Sequence, residues 1–165
     1  MQPLLKNLSL TIITLFLISS VYAQEASDST RQKNFSLSRG DLAIGGYDPV
    51  SYWSVKGPTK GDKKLSSVHK GVVYRFANKE NKSMFLSNPS KFEPQYGGWC
   101  AWAMIDGDRT KPDPKSFKIV DEKLYLFYDG LFGDTRALWN QRIQHEAESK
   151  LIETADSEWA AQLND

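Results

Sequence analysis

A chain of 165 residues with 21 basic and 20 acidic side chains is nearly neutral, which excludes an electrostatic footprint for nucleic acid or for an anionic membrane surface. The length suits one domain with a sizeable core. A single cysteine, Cys100, excludes an internal disulfide, so stability must come from packing.

Lys6 precedes an apolar run from Leu8 to Ile18, broken only by Ser9, Thr11 and Thr14, and small residues follow as far as Ala23. This order predicts a secretory signal peptide over residues 1–23, cut after Ala23, and an exported product, periplasmic or secreted. Gln24 rather than cysteine follows the cut, against a lipid anchor. An uncleaved anchor is the alternative. No later segment approaches the ~18 apolar residues of a membrane span, so no stable membrane insertion is expected after cleavage. Residues 24–40 are mostly polar, with Phe35 and Leu37 as their large apolar groups, and read as a flexible linker.

A domain is expected over residues 41–130. Asp48 before Pro49 predicts an N-cap and a short helix carrying Tyr52 and Trp53 inward, although Asp48 has the chemistry of a ligand as well. Gly57 to Lys64 reads as a lysine-rich surface loop. Leu65–His69 and Val72–Ala77 predict a β-hairpin, with Val72, Tyr74 and Phe76 on one face and His69 at its turn end. Asn78 or Asn81 caps a helix presenting Met84, Phe85 and Leu86 and ending before Pro89.

The uncharged stretch Pro94 to Met104 holds Cys100, two of the five tryptophans and a Gly-Gly pair. It must be buried or face a ligand. A short helix stopped near Gly107 is expected, with Cys100 in its first turn and Met104 on the same face. Two roles fit the cysteine. It is a small buried hydrophobe, or a thiol whose acidity is raised by the helix N-terminus. Asp106, Asp108 and Asp113 lack the spacing of a calcium loop and read as solvated turn formers. Phe117–Val120 and Leu124–Tyr128 predict a second hairpin around Asp121, Glu122 and Lys123. Beyond residue 130, Leu138, Trp139, Ile143, Leu151, Ile152, Ala155 and Trp159 recur at helical spacing, predicting two helices or one bent helix packed on the domain. No internal repeat is visible, and the pattern is that of an α+β domain with a small antiparallel sheet.

The segments Ala43 to Tyr52, His69 to Phe76, Asn78 to Phe85, Pro89 to Phe92 and Pro94 to Met104, in this order, resemble the exported bacterial YHS-domain proteins. Trp139 and Ala155 to Trp159 resemble the tail of the same group. The resemblance implies an exported binding domain, with copper suggested as a metal by the occurrence of YHS domains in copper-transporting ATPases. Metal-binding YHS domains carry a cysteine after an Asp-Pro-Val segment and a cysteine pair just after the aromatic residues of the hairpin. Those positions fall here on Ser51, Ala77 and Asn81, so the thiolates that would hold a soft ion are absent.

Three functions remain open at this point. One is a non-catalytic domain binding a small aromatic or apolar ligand, or a protein partner, in a cleft lined by Tyr47, Tyr52, Tyr96, Trp99 and Trp102. The second is a copper-handling protein using Cys100 with Met104 or His69 as soft ligands. The third is a thiol enzyme with Cys100 as nucleophile, whose histidine base could only be His69 or His145.

Overall fold

The computed structural model describes residues 28–164, so the expected signal peptide and its cut lie outside the described residues. The stretch expected as a linker is structured wherever it is described. Residues 28–34 form helix α1, followed by β1 (Leu37–Ser38). Its two apolar residues, Phe35 and Leu37, pack on the first core cluster, and Arg31 pairs with Glu93. Two apolar anchors and one ion pair suffice here because the surfaces they meet are supplied by other parts of the chain.

β2 (Leu42–Ala43) leads through a turn into a short 3-10 helix, Pro49–Trp53, capped by Asp48, whose side chain accepts the Val50 N–H. β3 (Asp62–His69) and β4 (Val72–Phe76) form the first hairpin, and the sheet order is β1-β2-β4-β3. Val72, Tyr74 and Phe76 are buried on one face as the alternation predicts. α2 (Lys79–Ser87) is capped by Asn78 and buries Phe85, whereas Met84 and Leu86 are half exposed. Three consecutive residues cannot share one helix face, so only the middle one reaches the core. α3 (Pro89–Phe92) follows, then α4 (Ala101–Met104). Cys100 stands at the N-cap of α4 in extended conformation, outside the helix that was expected to contain it.

The second hairpin joins β5 (Asp113–Val120) to β6 (Lys123–Phe127). A small ribbon, β7 (Asp129–Gly130) with β8 (Gly133–Asp134), precedes α5 (Thr135–Arg142), capped by Asp134. α6 (Glu148–Asn164) closes the second core with Leu151 and Ala155. At its start Glu148 accepts from Lys118 of β5 and from Trp139 Nε1 of α5. Burial works to raise the Glu148 carboxyl, but these two donors outweigh it and hold the group below the usual carboxylate range. The observed architecture is α+β, as expected. Among the described residues no helix is long and apolar enough to cross a membrane.

Although the sequence shows no repeat, the fold repeats itself. Leu42 bridges Val73 in parallel, as Pro94 bridges Leu124. Each strand-like entry is followed by a left-handed triplet: Ile44, Gly45 and Gly46 at φ 53°, 56° and 80°, and Tyr96, Gly97 and Gly98 at 56°, 57° and 84°. An aromatic residue, Tyr47 or Trp99, comes next, then the cap of a short helix, Asp48 or Cys100. The cap N–H donates to Thr59 O at 2.9 Å in one case and to Thr110 O at 3.0 Å in the other. Both hairpins pair eight residues with five, and their registers break at the same place, between Asp62 and Ser66 and between Asp113 and Phe117. Each then runs into a capped helix that buries one large ring, Phe85 on Tyr74 and Phe76, Trp139 on Tyr125 and Phe127. The β7–β8 ribbon has no counterpart in the first unit.

One strand belongs to both cores. Leu124 and Leu126 of β6 join the first cluster, with Tyr52, Tyr74, Phe76 and Phe85, while Tyr125 and Phe127 join the second, with Met104, Trp139 and Leu151. Alternate side chains leave opposite faces of a strand, so β6 is the wall between the two halves.

Candidate ligand site between the two units

The two left-handed triplets determine where the units meet. Glycine adopts this positive-φ backbone without a Cβ penalty, and the two turns bring Gly45 and Gly98 to the junction. Between them lies a cleft of about 210 Å³ lined by Ile44, Gly45, Tyr47 and Lys60 of the first unit, by Gly98, Lys111, Pro112, Pro114 and Leu126 of the second, and by Ser36. Its walls are mainly apolar. Lys60 and Lys111 are its charged groups, and they occupy corresponding positions, each following the threonine that accepts from a cap N–H. Lys60 Nζ donates to Gly45 O at 2.7 Å and stands 4.1 Å from the centre of the Tyr47 ring. Lys111 has no hydrogen-bond or ion-pair partner among the described residues.

Of the five aromatic residues expected to line one cleft, only Tyr47 is here. Tyr52 is buried against Phe117 and its hydroxyl donates to Pro114 O at 2.7 Å, behind the cleft wall. Tyr96 donates to Asp156 at 3.0 Å and borders a separate, shallower hollow with Phe35 and Trp159. Trp99 Nε1 donates to Asn34 O at 2.7 Å, and Trp102 packs on the second core with the Arg142 guanidinium 5.9 Å from its ring. Burial, reinforced by nearby Tyr47, Asp113 and Asp48, pushes the Tyr52 phenol far up; burial and then Asp156 do the same to Tyr96. Both therefore stay neutral and act as structural donors.

The soft-ligand set does not assemble. Cys100 is fully buried; its sulfur accepts the Tyr128 N–H at 3.3 Å and lies 3.4 Å from Thr135 Oγ1. The Thr135 hydroxyl gives its own hydrogen to Tyr128 O, so its oxygen is left to accept the thiol S–H. Met104 is buried in the second core, with Gln162 Nε2 3.6 Å from its sulfur. His69 packs edge-on against Phe85 of the first core, and burial lowers its pKa ahead of the opposing pull of Glu93. Among the described residues no group of three His, Cys, Asp or Glu side chains could hold a metal ion.

Asp48 holds a different place from the one its capping role suggests. Besides the Val50 N–H it accepts the Ala77 N–H at 2.8 Å and Asn81 Nδ2 at 2.6 Å, while Ser51 Oγ donates to its main-chain oxygen at 2.7 Å. Ser51, Ala77 and Asn81, the three positions at which the resemblance puts cysteines, thus all bond to Asp48, Ser51 through the main-chain oxygen and the other two through the buried carboxylate.

Lys60, Lys111 and the proline pair are inconspicuous in the sequence, because each segment alone carries only the turn residues and lysines of an ordinary loop. Thr59-Lys60-Gly61-Asp62-Lys63-Lys64 and Thr110-Lys111-Pro112-Asp113-Pro114-Lys115 carry the signal when laid side by side. No protein-family model, no curated protein and no solved structure matches the chain.

Proposed function

We propose that the protein is an exported, non-catalytic binding module of the YHS type, which holds a small ligand with an apolar or aromatic body in the cleft between its two units. The observation that carries this is the cleft itself, an opening built from corresponding segments of both units. Ligand sites favour such junctions and such mixed linings of apolar walls with a few polar groups. At about 210 Å³ it suits a ligand smaller than a drug-sized molecule. The thiol-enzyme alternative meets a buried cysteine with both of its hydrogen bonds satisfied and no histidine beside it. The copper alternative meets the same buried sulfur, and among the described residues no group of three His, Cys, Asp or Glu side chains could hold a metal ion.

Titration of the ¹⁵N-labelled protein with benzyl alcohol, a small neutral aromatic probe, tests the site. Saturable amide shifts confined to Gly45, Tyr47, Gly98 and Leu126 are expected. Shifts that centre on the hollow around Tyr96 and Trp159, or none at high millimolar probe, would overturn the assignment.

A further inference from the structure

Resting on that cleft as the ligand site, we infer that it selects an organic anion: a small carboxylate whose apolar body lies between Tyr47 and the prolines while its charge meets Lys60 and Lys111. Three observations converge on this. The charged groups of the lining are both cations, contributed at corresponding positions by the two units. Lys60 is already positioned, since its ammonium donates to Gly45 O and lies against the Tyr47 ring, both in the cleft lining, and two of its three N–H donors remain for a ligand. Lys111 is exposed and makes no hydrogen bond or ion pair among the described residues, so its ammonium is open to a ligand at the cleft.

The nearest acids in sequence do not cancel this charge through direct pairing. Asp62 accepts the Lys64 N–H at 2.8 Å and Asp113 accepts the Lys115 N–H at 2.9 Å, so each carboxylate is turned back on its own strand. A carboxylate ligand replaces part of the hydration of the two ammonium groups with charge-assisted hydrogen bonds, the stronger kind.

The experiment compares benzoate with benzyl alcohol, two probes of the same body and different charge, by amide shift titration at low salt. Benzoate should bind about tenfold more tightly, the equivalent of one charge-assisted hydrogen bond, and weaken as sodium chloride rises from ~20 to ~200 mM. Lys60→Met and Lys111→Met, which keep the apolar stem and remove the charge, should each weaken benzoate more than benzyl alcohol and so erase most of that preference; Lys79→Met on α2 should change the binding of neither probe. Equal binding of the two probes, or lysine variants that keep the preference, would overturn the anion assignment and leave the cleft standing. Failure of both probes to shift the cleft amides would overturn the cleft and the anion assignment together.

Discussion

Cys100 and Asp48 occupy the same place in successive units, and comparing them explains why the one cysteine is inert. Each side chain accepts the first backbone N–H after its hairpin, Ala77 in one unit and Tyr128 in the other. The carboxylate takes it on Oδ2, which also accepts from Asn81, and the sulfur has a hydrogen to spare for Thr135. Native protein should therefore leave Cys100 unmodified by a thiol reagent, with one equivalent reacting only when denaturant unfolds the chain; fast modification of folded protein would contradict the burial. Cys100→Ala leaves the Tyr128 N–H unpaired and should cost about 1–3 kcal/mol by urea denaturation. Cys100→Ser, which can accept and donate at the same two places, should cost less. Asp48 as a helix cap was legible from Asp-Pro alone, because capping is a local rule. Its second oxygen serves residues about thirty positions away, and no local pattern reports that.

At the scale of elements, the paired left-handed turns differ in what surrounds them. A Cβ at Gly97 would lie 2.5 Å from Phe35 Cδ1, whereas one at Gly45 would meet only Pro114 Cγ at 3.7 Å. Both positions have positive φ, so alanine pays a backbone cost of about 1–2 kcal/mol at either. Gly97→Ala must in addition displace Phe35, and with it the N-terminal segment from the first core. We expect Gly97→Ala to lower the urea midpoint at least twice as far as Gly45→Ala, and to raise protease cleavage within residues 28–38. Equal losses would mean that the α1–β1 segment is not anchored as described. This anchoring is also the part of the fold that composition misread. Hairpins and helices announce themselves by periodicity, but a polar segment held by Phe35, Leu37 and Arg31 has too few apolar residues to show any period. The five-aromatic cleft failed for a related reason. Tyrosine and tryptophan serve cores and sites alike, and only the fold separates Tyr47, at an opening, from Tyr52, whose hydroxyl is spent on Pro114.

For the molecule as a whole, the repeat lies in backbone conformation and hydrogen bonding, while the side chains of the two units differ. Aspartate stands opposite cysteine, phenylalanine opposite tryptophan, and a ribbon interrupts the second unit alone, which is why the repeat is visible in three dimensions and hidden in one. The halves remain inseparable because β6 supplies side chains to both cores. A slip of one residue in β6 would send Leu124 and Leu126 into the second core and Tyr125 and Phe127 into the first, so register errors are penalised twice. The same geometry has a consequence for the rate at which the chain folds. Neither core can close until the β5–β6 hairpin is in register, which makes its turn the natural bottleneck. That turn places Asp121 and Glu122 at φ 47° and 59°, where the first hairpin has Lys70 and a glycine, Gly71. Such two-residue turns favour glycine at the second position. Replacing Glu122 by glycine gives up only the exposed pair with Lys91, worth little. Stopped-flow refolding of Glu122→Gly should show a faster folding arm and an almost unchanged unfolding arm, whereas Lys70→Gly in the other turn should alter the folding arm far less; acceleration by the second and not the first would move the kinetic origin of the fold to the other unit.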